Sequence, residues 1–217
     1  MKVAEILLQS LRIRDDLKAN QDFPENRIDD ILLPVLPFRI TNKIKLIIIG
    51  QDPTVKISKS RQTIEYSLNL DKPGSLKSYI NKICSFLHID FENVYATNIF
   101  KYFYTIPPQR TMHVLFDHFE PNIRLLKDEL AFYPRAKVIT LGLPALQLLA
   151  GENAQVSYYW DYDKTAKGSN GKFSFCKSNE NNLGRSFSPF PHQPSLVKNF
   201  YSNTLKDYCD FVHQQKG

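Results

Sequence analysis

The chain has 217 residues, of which 42% are hydrophobic and 23% charged, with a net charge of +6 and three cysteines. This balance excludes a disordered chain and suits one large domain, spanning 1–217, with a substantial core. No apolar stretch approaches the roughly 20 residues that cross a bilayer, and Cys84, Cys176 and Cys209 are too few and too scattered for a disulfide framework or a four-cysteine iron–sulfur cluster.

Residues 1–20, MKVAEILLQSLRIRDDLKAN, set Val3, Ile6, Leu7, Leu11 and Ile13 at largely helical spacing, which predicts an amphipathic helix. Charges interrupt it too often for a secretory leader, so the expectation is a cytoplasmic protein with no membrane association. Residues 21–43 carry scattered prolines and read as an irregular connection packed, with that helix, on the rest. Ile44–Ile49 is an aliphatic, β-branched run of the kind found in a strand buried on both faces. Ser75–Leu87 places Leu76, Tyr79, Ile80, Ile83 and Leu87 on one helical face, with Ser75 as N-cap.

Val94–Ile99 predicts a second strand. Val114–Phe132 predicts a long helix, broken or kinked at Pro121 and stopped before Pro134. Lys137–Leu141 is a third strand, and Pro144–Ala150 begins a helix with proline at a tolerated early position. Residues 163–186 read as a loop or hairpin containing a fourth strand at Phe173–Cys176, and Asn199–Gln214 closes the chain as a helix. Strands alternating with helices predict an α/β fold, a three-layer αβα sandwich around a central, mostly parallel four-stranded sheet.

Charge is concentrated late. From Lys164 to Gly217 seven Lys and one Arg face one Glu and two Asp, a segment charge of +5 that favours phosphate. Tyr158, Tyr159, Trp160 and Tyr162 precede it and either stack on unpaired bases or anchor a loop in the core. His88, His113, His118 and His213 have no metal-ligand spacing, and His113 and His118 read as surface or core-edge residues.

The first strand run ends in Gly50-Gln51-Asp52-Pro53. Glycine and proline stop the strand, leaving an acid and an amide on a loop at its carboxyl end, where ligands bind in open α/β sheets. The same four residues also suit a simple β-turn. Near the other end stands SPFPHQPSLVKNFY, residues 188–201, with Leu196 four positions after His192.

Together these two segments resemble the uracil-DNA glycosylase superfamily. Members of its best-known branch carry Gly-Gln-Asp-Pro-Tyr-His after the first core strand and His-Pro-Ser-Pro-Leu late in the chain. Tyr66-Ser67-Leu68, Pro73-Gly74-Ser75-Leu76, Val94-Tyr95-Ala96-Thr97-Asn98 and Val138-Ile139-Thr140-Leu141-Gly142 fall between them in the family's order, so the likeness spans roughly 40–212. It implies a monofunctional DNA glycosylase that flips and hydrolytically removes uracil or a related modified pyrimidine, acting on DNA as a monomer without metal or organic cofactor.

By the same resemblance Asp52 and His192 are catalytic, while Gln51, Tyr66 and Asn98 hold the base. Ser75 and Ser195 contact phosphates, and Leu196 fills the gap left by the flipped nucleotide. Three departures stand out: Thr54 replaces the tyrosine that blocks the thymine methyl, Val55 replaces a histidine, and Gln193 replaces a proline, with Ser195 one position late. They motivate an alternative, a catalytically weakened DNA-binding protein that keeps the fold. A phosphate-binding or hydrolase-like enzyme is a third reading, against which no glycine-rich phosphate fingerprint and no Gly-x-Ser-x-Gly elbow is present.

Overall fold

The computed structural model describes residues 2–20, 27–107, 112–163, 168–192 and 199–215. In chain order the elements are α1 (Val3–Ala19), β1 (Leu46–Gly50), the one-turn α2 (Ser58–Arg61), α3 (Ser75–Phe86), β2 (Val94–Asn98), α4 (Met112–Asp117) and α5 (Phe119–Ala131). There follow β3 (Lys137–Leu141), α6 (Leu143–Ala150), the one-turn α7 (Val156–Tyr159), a small hairpin of β4 (Tyr162–Asp163) and β5 (Gly168–Ser169), β6 (Ser188–Phe190) and α8 (Asn199–Gln214).

Every residue of β1 and β2 is buried, which is why β1 is aliphatic without alternation. The main sheet runs β2-β1-β3-β6, all parallel. Helices α3 and α8 pack together, while α1, α4, α5 and α6 form a second contacting group. The right-handed rule for parallel crossovers sets the two groups on opposite faces of the sheet. This is the α/β three-layer arrangement expected. The chain leaves β1 in one direction for β2 and then reverses past it to β3. That reversal opens a crevice at the carboxyl ends of β1 and β3.

Several expectations need correction. Phe173–Cys176 does not supply the fourth sheet strand; Cys176 makes only an isolated bridge to Phe187, and β6 takes that place beside β3. Its strand character was masked by Pro189, which sits where a sheet edge tolerates a missing donor. The helix expected over 114–132 breaks at His118, not at Pro121. Pro121 is the third residue of α5, where no intrahelical acceptor is waiting for an N–H. Ser75 is not the N-cap of α3; Gly74 is, and Ser75 is the first helical residue.

On α1 the buried stripe is Ile6, Ser10, Arg14 and Leu17, whereas Val3 and Leu8 are exposed. Two polar members are tolerated because each has a partner: Ser10 donates to the Ile6 carbonyl at 2.7 Å, and Arg14 to the Leu32 carbonyl at 3.0 Å. Trp160 belongs to the core, fully buried, stacked on Tyr208 and donating to the Pro189 carbonyl at 2.7 Å. His118 is likewise fully buried, stacked on Tyr104, and burial holds its imidazole down at about 4. All three cysteines are buried free thiols, and burial pushes Cys84 up to about 12 and raises Cys176 and Cys209 as well. Among the described residues no helix is long and apolar enough to cross a membrane.

Candidate active site

The loop leaving β1 is built around Asp52. Its Oδ1 accepts the Thr54 backbone N–H at 2.7 Å, an Asx-type turn, and its Oδ2 accepts the Gln51 side-chain amide at 2.7 Å. Asp52 keeps part of its surface exposed, yet protein surrounds the carboxyl closely enough that desolvation pushes its pKa up to about 6. The Thr54 hydrogen bonds and the nearby Arg61 charge pull the other way and lose. A carboxylate so placed changes charge near neutral pH, as a general base does.

Two loops are fastened together here. Thr54 Oγ1 accepts the Tyr104 N–H at 2.8 Å. The buried Arg61 spans the same gap, giving Nε to the Val55 carbonyl at 3.0 Å and Nη1 to the carbonyls of Tyr104 and Thr105 at 2.8 and 2.9 Å. Farther in, Ile99 and Phe100 donate to the Gly50 and Gln51 carbonyls at 2.9 and 3.0 Å, extending the β1–β2 ladder beyond the strands.

Asn98 ends β2 directly opposite Gly50. Its side chain is fully buried, and neither the amide oxygen nor the amide nitrogen has a hydrogen-bond partner among the described residues. Leaving such a group unpaired costs about 1–3 kcal/mol, a cost natural cores avoid unless the group serves another purpose. Gly50 makes the room: a Cβ there would lie 2.5 Å from Asn98 Oδ1 and 2.6 Å from Leu68 Cδ2. Below the amide sits a charged network. Lys101 Nζ donates to the Asn98 carbonyl at 2.8 Å and pairs with Glu129 at 2.6 Å, both side chains fully buried. Glu129 also accepts from Tyr95 Oη at 2.6 Å and Thr97 Oγ1 at 2.9 Å.

Tyr66 is half-buried and precedes a single 3-10 turn, Ser67–Asn69, that packs against β2. Its strand-like bridge to Leu36 is held by Ser67 N–H to the Leu36 carbonyl and Leu36 N–H to the Glu65 carbonyl, both 2.8 Å. Within the turn Leu68 has φ 59° and Asn69 φ 52°. A left-handed leucine costs about 1–2 kcal/mol, so the surrounding structure must impose it.

His192 follows β6. Its Cβ lies against Gly142, where an added Cβ would approach to 3.4 Å, and Gly142 has the positive φ, 86°, that glycine favours. The Gly142 N–H donates to the Phe190 carbonyl at 2.8 Å, tying the β3 and β6 ends together. His192 is solvent-accessible, and the protein around its imidazole lowers its pKa, favouring the neutral ring. Ser75 is exposed as the first residue of α3. Gln193, Ser195 and Leu196 lie outside the described residues.

The structure therefore brings Gln51, Asp52 and Asn98 together around Gly50. It sets Tyr66 beside β2 and His192 on the β3–β6 half of the same sheet edge. No described contact joins His192 to Asp52. Nothing in the sequence assigned a role to Arg61, Lys101 or Glu129, and Leu68 entered only as the end of the Tyr66-Ser67-Leu68 segment. Lys101 had a signal, a lone cation in the aromatic run Phe100–Tyr104; Arg61, in a polar loop, had none. Among the described residues no three His, Cys, Asp or Glu side chains gather as metal ligands.

One comparison decides the family. A model of the uracil DNA glycosylase superfamily matches residues 38–210. The chain belongs to the uracil-DNA glycosylase superfamily. Members of this superfamily are DNA glycosylases, hydrolases that bind and repair DNA, and the match covers every element from β1 to most of α8. Comparison with curated proteins gave no match to an individual sequence. Helix α1 and the segment up to Pro37 precede the superfamily match.

Proposed function

We propose that this superfamily member is a monofunctional glycosylase that flips uracil, or a related modified pyrimidine, out of DNA and hydrolyses its N-glycosidic bond. The observation that carries the proposal is the sealed, unpaired amide of Asn98 one strand away from a carboxylate poised near neutrality. A planar amide donates and accepts side by side, which matches the O4 and N3–H edge of uracil. In this reading Gln51 borders the bound base beside Asp52, and Tyr66 offers its ring face to it.

Asp52 holds the attacking water. As the water oxygen bonds to C1′, the C1′–N1 bond breaks, its electron pair leaves with the base, and the water proton passes to the carboxylate. His192, neutral at physiological pH, donates an N–H to an oxygen of the departing base; a pre-aligned donor of this kind is worth roughly 3–4 kcal/mol. Ser75 and Ser195 hold flanking phosphates and Leu196 fills the vacated space. No motif of the sequence places a lysine as an amine nucleophile, so the reaction in this reading ends at the abasic site.

A second reading, a DNA-binding protein with weakened catalysis, is favoured by one observation. Thr54 Oγ1 already accepts the Tyr104 N–H and Val55 replaces a polar neighbour, so the two positions after Pro53 lack the tyrosine and histidine of the superfamily's best-known branch. The test is cleavage of single- and double-stranded oligonucleotides holding one uracil or one 5-substituted pyrimidine, with alkali to reveal abasic sites. Excision that falls at least a hundredfold in Asp52→Asn, with DNA affinity kept, supports the glycosylase. Binding without excision of any base supports the second reading.

A further inference from the structure

We infer that Leu68 decides which bases reach Asn98, and that the described conformation is the base-excluding one. The inference rests on the reading of Asn98 as the base-recognising amide. Four observations lead to it. Both polar atoms of the Asn98 side chain are unpaired and sealed from solvent, so a ligand edge has no open path to them. The Leu68 side chain and that amide meet over Gly50, where a single added Cβ would clash with both, at 2.6 Å and 2.5 Å. Leu68 is itself only partly buried and packs against the core, so one side of it meets solvent while its Cδ2 reaches the space over Gly50 that Asn98 Oδ1 also borders. Finally, Leu68 and Asn69 hold consecutive left-handed conformations, φ 59° and 52°, in a single 3-10 turn.

A left-handed leucine is kept there by its packing, and it gives up little when that packing is exchanged for a base. The turn carrying it is one turn long and Tyr66, at its start, is fastened to Leu36, so the turn can rearrange at Leu68 about a fixed Tyr66 end. Ser67, between them, has a buried hydroxyl that also lacks a partner, a second polar atom that a rearranged turn would satisfy. Leu68 thus acts on substrate selection: a base binds only as tightly as the open turn is populated.

The test compares wild type with Leu68→Gly and Leu68→Ala. Glycine removes the cap and adopts the left-handed backbone freely; alanine removes the cap alone. Titration of the free base uracil, followed by NMR or calorimetry, is expected to give about tenfold tighter binding in Leu68→Gly, with the gain lost when Asn98→Ala is added. The ratio of 5-substituted pyrimidine to uracil excision should rise in both variants. Uracil binding that is unchanged or weaker in both variants overturns the inference. Because binding is read without turnover, the two ideas separate. A wild type that excises uracil while the variants bind it no better keeps the glycosylase and discards the cap. Tighter binding in proteins that excise nothing keeps the cap and discards the catalytic reading.

Discussion

At the scale of single residues, Asp52 carries opposing demands. Burial raises its pKa from 3.8 to about 6, so the folded chain holds that proton more tightly than the unfolded chain does. Stability is then highest below pH 4 with respect to this group, falls as pH rises through about 4 to 6, and stays lower above. The loss is at most about 3 kcal/mol. Asp52→Asn should therefore raise unfolding stability at pH 7.5 by about 1–3 kcal/mol while removing excision. In denaturant melts that gain should vanish near pH 4; an equal gain at both values would mean that desolvation is not its source. Excision by the wild type should rise through pH 6 as the carboxylate forms, checked by kcat/KM against pH.

The same scale tells what was legible beforehand. Asp52, Gln51 and His192 announce themselves because glycine and proline punctuate the chain around them. Leu68 does not, since a left-handed leucine arises from packing and leaves no local mark. Trp160 was open to two readings because an indole suits both a stacked base and a core, and only its acceptor at Pro189 separates them.

Among elements, the buried strands were the most readable, since β3 occupies the residues its composition indicated and β1 and β2 differ only at their ends. β6 was not, because a three-residue edge strand containing Pro189 carries too little pattern. Long-range pairing also stayed hidden: Lys101 follows β2 and Glu129 lies in α5, and nothing local marks them as partners. Their ion pair lies beneath the end of β2 and fixes the Asn98 peptide through its carbonyl. Removing one member leaves a buried charge, so Lys101→Met should cost about 3–5 kcal/mol. Adding Glu129→Leu should recover much of that, as apolar replacement of a whole buried pair often does. Chemical denaturation of the two variants checks this. If the double variant regains stability but not uracil turnover, the pair positions Asn98; if it regains both, its role is confined to folding.

On the scale of the whole molecule, strand order does the gathering. The order β2-β1-β3-β6 places Asp52, Asn98 and His192, distant in sequence, at one carboxyl edge. Exposed Lys56 and Lys59 flank the Asp52 loop and add to the net charge of +6. DNA affinity should fall with salt, and Lys56→Ala with Lys59→Ala should flatten the log–log slope by about 1–2. Fluorescence titrations at several salt concentrations measure it, and an unchanged slope would place the phosphate track elsewhere.

The three thiols bear on the protein's life in a cell that meets oxidants. Each is buried, and burial holds the sulfur protonated, the form that attacks peroxide and disulfides least readily. Chemical damage to them must wait until the core opens. A sulfenylated or glutathionylated cysteine on this chain would thus be a record of past unfolding, written only on molecules that had already let go of their fold.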